Sequence, residues 1–140
     1  MTESKTPRDT HEPPPRPARI NWAAVVGFGM LGLLWPLLRL VGLESVVGGL
    51  GTALIAFLGT FAVWVLGAGL GDVPRPVVTL TLAGLLFGAL LSASALLMGE
   101  WPDYGLGLTL VAVAVELGRA AGFGALSGLT ARAIQKSRHR

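Results

Sequence analysis

Residues 106–129 read LGLTLVAVAVELGRAAGFGALSGL. These twenty-four residues hold two charges, Glu116 and Arg119, among glycine, alanine, serine, threonine and large apolar side chains. The hydrocarbon core of a bilayer takes about 20 apolar residues in helix. The run is continuous rather than alternating, which excludes the strand of a membrane barrel. It predicts a transmembrane helix, and three further runs do the same: Trp22–Leu43, Gly48–Leu70 and Pro76–Leu97. Pro76 suits a first helical turn, where its missing N–H costs nothing. The links Glu44–Val47, Gly71–Arg75 and Met98–Gly105 are short, so consecutive helices must run antiparallel. The expected fold is all-α, an integral membrane four-helix bundle over residues 20–131.

Composition agrees. Of 140 residues, 52% are hydrophobic and only 14% charged, against about 25% charged in a soluble domain. With a mean hydropathy of +0.65, this excludes an ordinary soluble domain, a disordered chain and a collagen-like one. There is no cysteine, and His11 and His139 fall in polar tails. Disulfides, thiol chemistry and a histidine or cysteine metal site in the core are therefore excluded. No phosphate-binding loop, HExxH or GxSxG motif occurs. No catalytic residue, metal or cofactor is expected, and the protein reads as a non-enzyme. The net charge of +3 and pI near 10.2 reflect membrane flanks and not nucleic-acid binding, because the basic residues are few and interleaved with prolines.

Residues 1–19, MTESKTPRDTHEPPPRPAR, hold five of the nine prolines and no apolar periodicity. They are expected to form a disordered tail. The first apolar run, at 22 residues, exceeds the usual 7–15 of a cleaved leader and reads as an uncleaved helix. Residues 132–140 read as a second, basic tail. Lys5, Arg8, Arg16, Arg19, Arg75, Arg132, Lys136, Arg138 and Arg140, nine of the eleven basic residues, fall on the side shared by both tails and the middle link. The other links carry Glu44, Glu100 and Asp103. The positive-inside rule then makes both termini cytoplasmic, in a bacterial cytoplasmic membrane.

Lipid is as apolar as leucine, so such helices associate through small residues that admit close backbone approach. Gly84, Gly88 and Ser92 form one stripe at four-residue spacing. The fourth helix carries two, Ala114-Gly118-Gly122 and Ala120-Gly124-Gly128, on different sides of the cylinder. That helix is expected to be contacted on more than one face. The stripes serve contacts within the chain, with another copy, or with another membrane protein. Pro36, after Trp35, should kink the outer third of the first helix.

Glu116 and Arg119 are the eleventh and fourteenth residues of the fourth segment. A charge at that depth costs at least about 2.5–3.5 kcal/mol, and the three-residue spacing lets the two pair on one face. Counted from the outer side, Thr60 and Trp64 fall level with Arg119 to within about one turn, Thr60 as an acceptor and Trp64 as a ring face. Two roles are open. The pair fixes the rotation and register of the fourth helix, or it forms a proton relay or anion site.

A Pro/Arg-rich leader, the Trp35-Pro36 first helix and the lead-in VPRPVVTLTLAG at residues 73–84 resemble small multi-pass membrane proteins of actinobacteria. That likeness covers most of Ile20–Leu129 and implies no activity. In size the chain is also similar to the small multidrug resistance exporters, but their essential glutamate lies in the first helix. Its glycine content is similar to that of the dual-topology fluoride channels, but those carry intramembrane asparagines, and here none follows Asn21. The function expected is that of a membrane subunit or assembly partner, the alternative being a small proton- or anion-coupled transporter using Glu116 and Arg119.

Overall fold

Asn21 opens the first helix. Its Oδ1 accepts from the backbone N–H of Ala24 at 3.2 Å, satisfying a donor that every helix start leaves unpaired. The computed structural model describes residues 19–99 and 105–138. The expectations for the leader before residue 19, for residues 100–104 and for the last two residues lie outside the described residues.

Helix α1 (Trp22–Leu40) is α-helical over Trp22–Gly29, tightens to a 3-10 turn over Met30–Leu33, and resumes over Leu34–Leu40. Pro36 explains the irregular turn, since it has no N–H for the Gly32 carbonyl and its ring crowds that group. The disturbance lies nearer mid-helix than the outer third, because proline acts on the turn before it. Gly42 ends the segment at φ 73°, a conformation that favours glycine.

Helix α2 (Leu43–Leu70) starts five residues before the expected Gly48. Gly48 instead breaks it, at φ 74° and ψ 166°, leaving Leu43–Val47 as a separate turn before the main span. Thr52 Oγ1 donates to the Gly48 carbonyl at 3.0 Å across the break. Within the preceding turn Glu44 pairs with Arg39 at 3.1 Å.

Helix α3 (Pro76–Leu97) has the expected bounds. Helix α4 (Gly105–Arg138) does not stop near Leu129 but continues nine residues further. The supposed basic tail is therefore helical through Arg138. The reason is a set of polar contacts that hold its end. Gln135 Nε2 donates to the carbonyls of Ala68 (2.8 Å) and Val73 (3.2 Å). Arg138 Nη1 donates to Leu70 at 3.2 Å and lies 3.9 Å from Asp72 Oδ1. The carbonyl end of α2, which lacks intrahelical partners, is thus covered by donors and positive charge from α4.

Each of the four helices is long and apolar enough to cross a membrane, and no strand occurs among the described residues. Helices α3 and α4 share the largest interface and are antiparallel. A Cβ on Gly84 would strike the Ala120 carbonyl, and one on Gly124 the Leu80 carbonyl. One on Gly88 would lie 2.8 Å from the Ala120 Cβ, and one on Gly128 2.5 Å from the Val77 Cα. These glycines let two backbones meet, as the sequence predicts for all four. Gly118 and Gly122 do not behave so, since neither has any neighbour within 4 Å on its Cβ side. Only one of the two α4 stripes meets α3, and the other remains uncovered.

Helix α1 lies along the opposite side of α3 through Gly29 and Gly32, which rest on Leu86 and Phe87. Helix α2 runs parallel to α4 and barely touches α3. The buried core of Trp64, Ala68, Val73, Leu80, Ala83 and Ala131 belongs to the half of the bundle that holds Trp22 and Arg138. In the other half α2 and α3 stand apart.

Candidate functional site

The separation of α2 from α3 leaves a cavity of about 1060 Å³ between all four helices. Leu34, Trp35 and Pro36 wall it from α1, Ala53 and Phe57 from α2, and Leu91 and Ser92 from α3. Its floor is aromatic. The Phe123 ring centroid lies 4.4 Å from Phe57, 5.6 Å from Phe61 and 5.4 Å from Trp64. Phe87 meets Trp64 edge-on at 5.7 Å, a favourable ring geometry. Beneath this floor Trp64 is fully buried, and its Nε1 donates to the Phe28 carbonyl at 3.0 Å.

Glu116 and Arg119 both line the cavity. Arg119 Nη2 donates to Glu116 Oε1 at 3.1 Å and forms an ion pair with Oε2 at 2.8 Å. The pair is asymmetric. The Glu116 side chain is 22% exposed and the Arg119 side chain 74%. The acid is held inside while the guanidinium sits at the rim. Its Nε–H and Nη1–H groups find no acceptor among the described residues.

Thr60 is buried and lines the cavity, whereas Trp64 does not line it. The expectation that Trp64 offers its face to Arg119 is corrected, because that ring is taken by Phe87 and Phe123. The stacking of Phe57 on Phe123 sets the α2–α4 register, and it brings Arg119 level with Ala53. Thr60 lies seven residues further along α2, about 10 Å down its axis. Counting depth from the expected helix starts misplaced both residues, since α2 begins earlier than Gly48 and is held to α4 from the other end.

Ser92 continues the Gly84-Gly88 stripe, as expected, but its role differs from the glycines'. It is 95% buried by its 5% exposure, and its Oγ has no hydrogen-bond partner among the described residues. A buried hydroxyl without a partner is uncommon and costs about 1–3 kcal/mol. The aromatic floor was not anticipated, although Phe123 shares a helical face with the pair. Nor were Gly29 and Gly32, whose three-residue spacing was the available signal. No group of three or more His, Cys, Asp or Glu is positioned to hold a metal among the described residues. Compared with known proteins, the chain matches no family model, no curated protein and no solved structure.

Proposed function

We propose that the chain is a non-enzymatic multi-pass protein of a bacterial cytoplasmic membrane that works as a subunit or assembly partner, joined through the uncovered face of α4. The observation that carries this reading is the Ala114-Gly118-Gly122 stripe, where a Cβ on either glycine would meet nothing within 4 Å. Stripes of this kind let a second helix approach closely. Arg119 beside it supports the same reading, because a guanidinium 74% exposed near the middle of an apolar helix calls for cover in a bilayer. The partner is a second copy or another membrane protein.

Extraction in a mild detergent followed by mass measurement tests this. A mass above that of one chain is expected, and Gly118→Leu should return the 14.5 kDa protomer with its own melting temperature unchanged. A wild-type chain that is monomeric and alone in that measurement defeats the proposal. The bias of arginine and lysine supports cytoplasmic termini. Reporter domains fused after residue 140 and within residues 98–105 should therefore report opposite compartments, the first inside. An external reporter after residue 140 reverses the orientation.

A second reading is favoured by Glu116 itself, which lines a cavity with its side chain 22% exposed. Under it the pair carries a proton- or anion-coupled flux. Proteoliposome flux abolished by Glu116→Gln at unchanged stability distinguishes it from the first.

A further inference from the structure

We propose that the cavity between the far halves of the four helices binds a membrane-partitioned long-chain carboxylate, its alkyl chain over the aromatic floor and its head group on Arg119. This goes beyond the association of α4 with a partner and does not rest on it. The volume of about 1060 Å³ is at the upper end for sites that take one small ligand. The walls are alkyl and aromatic, with a small number of polar groups, the usual composition of such a site.

The chemistry of the head group follows from which polar capacity is unspent. Arg119 Nη2 is spent on Glu116, donating to Oε1 at 3.1 Å and lying 2.8 Å from Oε2. The remaining Nε–H and Nη1–H groups of Arg119 are donors without acceptors among the described residues. An occupant must therefore bring acceptors. A guanidinium fork matches the two oxygens of a carboxylate in plane. A carboxylate also brings one negative charge where a phosphate brings up to two, so its desolvation is the smaller cost. Arg119 then lies between two carboxylates, Glu116 inside and the ligand at the rim. Thr60, Ser92, Ser94 and Glu116 are the other polar residues of the wall, few against its alkyl and aromatic groups.

Trp35 lines the cavity and serves as the reporter. The full-length chain in nanodiscs is titrated with bromine-substituted dodecanoate, and quenching of tryptophan emission is followed. Saturable quenching that disappears in Trp35→Phe is expected. The brominated alcohol and the brominated trimethylammonium of equal chain length should bind about tenfold more weakly or worse. Glu116→Gln removes the internal competitor for Arg119 and should tighten carboxylate binding several-fold. Glu116→Gln combined with Arg119→Leu keeps the site uncharged and should weaken it about tenfold. Thermal stabilisation by dodecanoate, measured on the same variants, should follow the same order. Equal binding of alcohol and carboxylate overturns the proposal, since the chain alone is then recognised. Preference for the ammonium overturns it in favour of recognition by Glu116, and a double variant that binds like the wild type excludes Arg119 as the anchor.

Discussion

Replacing Gly124 with leucine should lower the melting temperature of the detergent-solubilised bundle by more than about 10 °C or prevent its folding. A Cβ at this position would collide with the Leu80 carbonyl and stand 3.1 Å from the Thr81 Cα. Both obstacles are backbone, so no rotamer change relieves the clash. Helices α3 and α4 would have to separate, and Gly84, Gly88 and Gly128 would lose their close approach together. Overpacking commonly costs about 1–3 kcal/mol, and a clash at the centre of the largest interface belongs at or above the top of that range. Gly59→Leu is the control. Nothing lies within 4 Å of a Cβ there, so its melting curve should stay near that of the wild type. Equal losses for the two variants would mean that α3 and α4 do not meet through these glycines.

Glu116→Gln should destabilise the protein by about 2–3 kcal/mol in a bilayer or bilayer mimic. The change leaves the Arg119 guanidinium without its anion near the middle of an apolar helix. Removing one member of such a pair is worse than removing both. Combining Glu116→Gln with Arg119→Leu should therefore recover most of the loss, and reversible denaturation of the four proteins gives the coupling directly. Two single losses that merely add in the double variant would show that the 2.8 Å bridge contributes nothing to stability. This measurement is separate from ligand binding, because it is made with the cavity unliganded.

The helices themselves were legible because apolar runs of this length have few alternatives, and Pro76 marks the start of α3 unambiguously. The α3–α4 contact was half legible. Gly84, Gly88, Gly124 and Gly128 announced close approach, but Ala114-Gly118-Gly122 has the same composition and made the same announcement without meeting anything in the chain. Small residues permit approach and do not say from which side. Gly48 was legible as a boundary and not as a break, since the sequence on both sides favours helix equally. The bridge between Glu116 and Arg119 is a local matter of three residues and was readable. The placement of Thr60 and Trp64 was not, because the α2–α4 register depends on Phe57 meeting Phe123 and on Gln135 meeting Ala68, contacts over more than sixty residues. The cavity is a gap between elements, and no residue pattern encodes a gap directly.

The donors that cover the end of α2 have a consequence in time. Gln135 follows Ala68 by 67 residues, and a ribosome adding about 5–20 residues per second takes about 3–13 s to bridge that distance. During this interval the α2–α3 hairpin holds its turn only with bonds made nearby, Gly71 N–H to Gly67 and Val73 N–H to Ala68 on the backbone and Thr79 Oγ1 to Pro74. The nascent hairpin must therefore persist with the carbonyl end of α2 uncovered by these side chains. Only the arrival of α4 brings Gln135 and Arg138 to it, which makes the last-synthesised helix the one that closes the bundle.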